Sequence, residues 1–144
     1  FSPIKTMPHA KMQEYVNIDY KNILSIVGLV GEVGHGHIIA EARYGRLPNS
    51  SFADVAFVVD EAYQVLGLAT YLYRKIVQLA RERGIRGFKA DVLASNRGMM
   101  RVFEKGGFPV TARLDSGAYE LTIPFEGDGN APQQIRYEPS CTTG

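Results

Sequence analysis

Residues 53–69 read Ala-Asp-Val-Ala-Phe-Val-Val-Asp-Glu-Ala-Tyr-Gln-Val-Leu-Gly-Leu-Ala, and the reading of this stretch decides the fold. Val55 to Val59 form a short apolar block rich in β-branched residues, the pattern of a strand buried on both faces. From Leu68 the period changes to that of a helix. Leu68, Leu72, Ile76, Leu79 and Ala80 make one apolar stripe, Arg74, Lys75, Gln78, Arg81 and Glu82 lie off it, and Gly84 is placed to stop it. Between strand and helix stand two small residues, Gly67 and Ala69. A strand handing over to a helix through small residues leaves backbone N–H groups unpaired at a positive helix end, which suits a phosphate. Neither Gly-x-x-x-x-Gly-Lys-Ser/Thr nor Gly-x-Gly-x-x-Gly with its downstream acid is present, which excludes the P-loop and the dinucleotide fingerprint.

Working outward, 144 residues suit one domain with a sizeable core. Sixteen basic against 15 acidic residues imply no broad nucleic-acid surface. One cysteine, Cys141, excludes an internal disulfide framework and a Cys-based metal site. No apolar run has transmembrane length, and the first residues lack the regions of a signal peptide, so a cytoplasmic protein is expected. The initial Phe1 suggests a piece of something longer.

Upstream, the spacing of Met12, Tyr15 and Val16 predicts a helix from Pro8 to about Asn17. A β-rich run from Ile23 to Val33 follows. A hairpin turn at Gly34-His-Gly-His37 leads into a strand over 38–44. His35 and His37, with glycine neighbours and no nearby acid, make a poor metal-ligand set, and no metal is expected. Downstream, a strand is predicted over 88–93, a helix from Asn96 to about Lys105, and a hairpin of strands 109–114 and 118–125 turning at Asp115-Ser-Gly117. Residues 1–126 are then one domain, and 127–144, rich in Gly, Pro, Asn and Gln, an irregular tail with no core role.

Gln64, Gly67 and Ala69 match Gln/Arg-x-x-Gly-x-Gly/Ala, and a second element from Asn96 to Gly107-Phe108 lies at a matching distance. Together with the strand before and the helix after, these resemble the acetyl-CoA site of the GNAT acetyltransferase superfamily over about residues 5–125. Ile18-Asp19-Tyr20, and the pairing of Ala42-Arg43-Tyr44 with the stretch 53–59, look most like the bacterial Pat-type protein lysine acetyltransferases. The resemblance implies an α/β (α+β) fold: a mixed, mostly antiparallel sheet with one parallel pair, the fourth and fifth strands, flanked by helices. The family's strand before the first helix would be missing or reduced to the first four residues.

The resemblance also implies roles. The fourth and fifth strands splay, and the pantetheine arm of acetyl-CoA inserts between them against the backbone of Phe57, Val58 and Val59. The amides of Val65, Leu66, Gly67, Leu68, Ala69 and Thr70, behind Gln64, hold the pyrophosphate, with Gly67 and Ala69 small so that phosphate oxygens approach the chain. Many relatives carry Arg or Lys where this chain has Leu66, so the cradle relies on amides and helix dipole. Asn96 stands where relatives contact pantetheine, and it is also a good helix N-cap. Lysine acetyltransferases of the superfamily place a Glu ten residues before the motif's Gln; here that position is Asp54, the candidate general base, one methylene shorter. Asp60 and Glu61 are nearby acids at the point where the strand turns out. The Tyr acid of many small-amine enzymes is replaced by Phe103, which either packs beside the cofactor or fills the core.

The expected activity is acetyl transfer from acetyl-CoA to a primary amine, most naturally a protein lysine, by direct attack in a ternary complex, since Cys141 lies in the tail. A lysine amine of pKa about 10.4 is neutral in roughly one molecule per 2,500 at pH 7, a deficit of about 4.6 kcal/mol that a carboxylate can partly recover. The same chemistry on a small-molecule amine, or an idle acetyl-CoA-sensing domain regulating an attached one, are the alternatives. No nucleic acid or membrane partner is implied.

Overall fold

The structure is a computed structural model, and it describes residues 12–19, 22–30, 37–60, 67–127, 129 and 134–139. The elements run β1 (Met12–Asp19), β2 (Ile23–Val30), β3 (His37–Arg46), β4 (Phe52–Val59), α1 (Leu68–Glu82), β5 (Gly87–Leu93), α2 (Arg97–Glu104), β6 (Val110–Asp115), β7 (Ala118–Pro124) and β8 (Ile135–Glu138). All eight strands form one sheet in the order β1-β2-β3-β4-β5-β7-β6-β8. Neighbours are antiparallel except β4 with β5 and β6 with β8. The expected parallel pair of fourth and fifth strands is present, and β6/β8 adds a second. Among the described residues no helix is long and apolar enough to cross a membrane.

Two expectations are corrected. Residues 12–17 are not helical: they belong to β1, antiparallel to β2, with Val16 opposite Ile26 and Ile18 opposite Leu24. The apolar spacing of Met12, Tyr15 and Val16 fits a helix, but Val16 and Ile18 also alternate with Asn17 and Asp19 at a period of two, and pairing to a ready-made β2 decides for the strand. Residues 1–11, where the helix was to start, lie outside the described residues, as does the turn over 31–36. The second correction concerns the tail. Residues 135–138 form β8 along β6, and Ile135 packs half-buried against the core. Ile135 and Tyr137 alternate with Arg136 and Glu138, a short strand pattern that the surrounding Gly, Pro and Asn obscure.

Both helices lie on one face of the sheet. The registers align Ile26 with Ala42 and Phe57, Leu24 with Tyr44 and Val55, and Ala53 with Phe88 and Ile123. Apart from the half-buried Phe57 these are all buried, together with Leu68, Leu72, Tyr73, Ile76, Val77 and Ala80 of α1 and Met100, Val102 and Phe103 of α2. The helix stripe is turned slightly from its predicted place, with Tyr73 and Val77 inside and Leu79 half-buried. Burying such side chains stabilises the fold by roughly 1.5–3 kcal/mol each. Tyr73, Phe57 and Phe103 meet edge to face, with centroids 5.1–5.9 Å apart, and lock α1, β4 and α2 together. On the other face, Asp54, Ala56 and Val58 of β4 and Lys89, Asp91 and Leu93 of β5 are exposed, which corrects a further expectation: the apolar run over 55–59 is buried on one face only, because helices cover that side of the sheet alone.

Candidate active site

The site grows from the way β4 and β5 part. They pair in parallel at Phe52 with Gly87, Ala53 with Phe88 and Asp54 with Lys89, and there the pairing stops, although β4 continues to Val59 and β5 to Leu93. The closed end is tight. A Cβ on Gly87 would stand 2.5 Å from the Phe52 ring and 2.8 Å from the Ile123 carbonyl oxygen, so only glycine lets β4, β5 and β7 converge. Beyond the last pair lies a fork, with Asp54 and Lys89 at its apex.

Hydrogen bonds fix which main-chain groups face it. The Asp60 N–H donates to the Ile39 carbonyl and the Leu47 N–H to the Phe52 carbonyl, so even-numbered residues from 52 to 60 turn their amide and carbonyl to β3. Odd-numbered ones turn theirs to the β5 side. Phe57 and Val59 therefore direct backbone into the fork. Val58 does not; its amide and carbonyl turn to β3 and its side chain, 68% exposed, stands on the open face.

A cleft of about 290 Å³ occupies the fork. It is lined by Phe57, Val58 and Val59 of β4, Ala69 of α1, Asn96, and Gly98, Met99 and Val102 of α2. Five of the residues singled out in the sequence thus converge. Gln64, Val65 and Leu66 lie outside the described residues. Gly67 caps α1 in the left-handed conformation at φ 72°, and a Cβ there would meet nothing within 4 Å. No side chain caps this helix start and no acid stands in its first turn, which leaves the amides of Leu68, Ala69 and Thr70 at a positive end that favours an anion. Leu68 itself is core, and Thr70 is half-buried.

Asn96 Oδ1 accepts a hydrogen bond from the Met99 N–H at 3.1 Å. The cap uses the oxygen and leaves the amide NH₂ on the rim of the cleft. Phe103 is only 1% exposed, so of its two expected roles it fills the core; it backs the cleft through Phe57 and does not line it. Gly98, Met99 and Val102 were not anticipated. Their signal was the i, i+3 spacing of Met99 and Val102 on the face of α2 turned to β4. Tyr73 was not singled out in the sequence either: it is 1% exposed, its hydroxyl has no hydrogen-bond partner among the described residues, and burial pushes its phenol far above the usual tyrosine range.

Asp54 projects to the opposite face of the sheet. It lines a trough of about 540 Å³ with Lys89, Asp91, Thr111, Arg113 and Glu120, among others. Asp60 is exposed, and Glu61 is outside the described residues. Among the described residues no three His, Cys, Asp or Glu are grouped to hold a metal. The arrangement is thus a neutral cleft on one side of a strand fork and a carboxylate at its apex on the other.

Proteins of known sequence and structure agree with this geometry. The sequence model of the acetyltransferase (GNAT) family matches residues 4–108. YwnH of Bacillus subtilis, provisionally named a phosphinothricin acetyltransferase, is 32% identical over 104 residues, covering 65% of this chain and 64% of its own length. Acetyltransferase Pat of Mycolicibacterium smegmatis is 29% identical over 135 residues, 88% of this chain but 40% of its own. The crystal structure of the GNAT domain of S. lividans PAT superposes with a TM-score of 0.65 at 32% identity, over 76% of this chain and 64% of that one. The chain spans less than two thirds of the length of these relatives. With the family's sequence model matched over residues 4–108 and a solved GNAT domain superposing on the fold, this chain belongs to the GNAT acetyltransferase family.

Proposed function

We propose that the chain is an N-acetyltransferase domain that moves an acetyl group from acetyl-CoA to a protein lysine. The observation that carries this reading is the fork: β4/β5 pairing ends at Asp54 and Lys89, with an apolar cleft on one side and the Asp54 carboxylate on the other. The cleft suits the pantetheine arm, with Phe57 offering backbone as a neighbouring strand would and the start of α1 receiving the pyrophosphate. The lysine ammonium, arriving from the Asp54 side, gives its proton to that carboxylate, directly or through a water. The amine nitrogen then bonds to the thioester carbonyl carbon, the carbon–sulfur bond breaks, CoA leaves as thiolate, and the nitrogen gives its second proton to water as the amide forms. No tyrosine lines the cleft among the described residues, and the thiolate, comparable to cysteine with its pKa of about 8.5, takes its proton from water.

A small-molecule amine as acceptor is the second reading, favoured by the similarity to YwnH. Free-thiol release with acetyl-CoA, a lysine-peptide pool and a panel of small amines tests both. Steady release that depends on peptide supports the proposal, and release with small amines alone transfers it to the second reading. CoA binding with no release for any acceptor makes the domain an acetyl-CoA sensor.

A further inference from the structure

The trough beyond Asp54 has an order that only the registers reveal. Across the sheet, Asp54 lies beside Lys89, and Lys89 beside Thr122. One row further along, Asp91 lies beside Glu120, Glu120 beside Arg113, and Arg113 beside Glu138 of β8. These side chains share the face away from the helices, and the trough they line is continuous from the apex of the fork to the last strand. It carries four carboxylates, Asp54, Asp91, Glu120 and Glu138, against two cations, Lys89 and Arg113, in a chain whose net charge is +1. Arg113 is held by Glu120 at 2.7 Å, so the charges at the two ends of the trough remain biased to the negative.

We propose that the trough is the path of the acceptor polypeptide, and that it selects lysines accompanied by a second cation on the same extended segment. This rests on the acetyltransferase reading and names its substrate class. The negative end nearest the fork receives the ammonium to be acetylated, and the end at β8 receives the second charge. From β4 to β8 there are four inter-strand steps, about 19 Å at roughly 4.8 Å each, and an extended peptide of about 3.3 Å per residue covers that in some four to six residues. Opposite charge along such a path raises capture rate and register more than intrinsic affinity. An acceptor with acidic groups beside its amine meets carboxylates instead and is disfavoured. Glu138 comes from β8, beyond the stretch matched by the family's sequence model, so this selectivity belongs to a part of the chain separate from the cofactor machinery.

The experiment uses the whole chain and otherwise neutral peptides with one central lysine, bearing either Arg or Glu five residues to one side or the other. Turnover is read as kcat and KM, and binding as anisotropy of labelled peptide in the presence of CoA. The Arg peptides are expected to exceed the Glu peptides by about tenfold in kcat/KM at low salt, mainly through KM, with the gap closing as ionic strength rises. Glu138→Lys is expected to bring the two sets within about twofold while acetyl-CoA affinity stays within twofold. Glu138→Gln, which removes the same charge while keeping the side chain's length, narrows the gap in the same direction should Glu138→Lys detach β8. Equal turnover of both peptide sets, or a gap that neither variant moves, overturns the trough and leaves acetyl transfer standing. Preferential binding of Arg peptides without turnover supports the trough and sinks the transferase; neither binding nor turnover sinks both.

Discussion

The two sides of the β4/β5 fork differ in kind. The cleft toward the helices is lined by Phe57, Val58, Val59, Ala69, Asn96, Gly98, Met99 and Val102, none of them ionisable. In the trough on the open face, six of the ten lining residues are charged. A strand pair that parts after three residues thus has a neutral slot on one face and a charged landing ground on the other. The difference teaches how a transferase keeps two substrates apart: the cofactor is held by shape, backbone and a helix end, and the acceptor by electrostatics. Substitutions on one side should leave the other side's binding alone.

The largest break in that separation is expected at the apex. Asp54→Asn should lower kcat/KM for amine acetylation by roughly ten- to a thousandfold, with acetyl-CoA affinity within a few fold, measured by thiol release and calorimetry. Asp60→Asn, beyond the end of β4, should do much less. An Asp54→Asn protein that lost cofactor affinity in step with rate would merge the two sites into one.

On the cleft side, acetyl-CoA at a hundredfold excess over Kd should stabilise the domain by about 2.7 kcal/mol, read as a thermal shift. Gly67→Val should abolish most of that shift. A branched side chain at φ 72° strains the turn by about 1–2 kcal/mol, and in the open space before α1 it obstructs the amides. Peptide binding should be unaffected.

Phe103→Tyr sharpens the comparison from inside the core. The added hydroxyl enters a packed cluster between Phe57 and Tyr73 and should destabilise by about 1–3 kcal/mol in denaturant titration. At temperatures where the variant is folded most activity should persist, since no proton donor is needed there. A tyrosine-like ionisation gained on the high-pH side of the rate profile would show that position 103 reaches the sulfur after all.

Tyr73→Phe should have the smallest effect. Its folded phenol titrates above the unfolded value of about 10, so this stability is complete below pH 10 and is lost as pH rises through the folded pKa. The variant should lose part of that alkaline destabilisation. By removing a buried hydroxyl without a partner it should gain up to about 1 kcal/mol near pH 8. Melting curves from pH 8 to 11 check both.

Much of this was legible in the residues. The helix from Leu68, the strand before it and the two-residue turn at Ser116-Gly117 each carry a local period or turn chemistry and appear as elements where expected, although the buried stripe of the helix takes in Tyr73 and Val77 as well. The cleft was legible for the same reason, because its residues cluster in two motifs. What escaped depends on partners far along the chain. The β1 segment carries both a helical and a strand period, and β2 chooses between them. The Tyr73 ring is buried because Phe57 and Phe103 come to it. The trough is assembled from five strands, one to three residues at a time, and nothing in the spacing of Asp91, Arg113, Glu120 and Glu138 announces that they will be neighbours.

The strand at the far wall of the trough is also one of the two rims of the sheet. A rim with open N–H and C=O groups invites another molecule's strand and, by repetition, a fibre. Here the exposed ladder is four residues long, carries Arg136 and Glu138, and runs into Pro139, which has no N–H to offer a newcomer. At this margin the protein is a poor seed for strand-to-strand association.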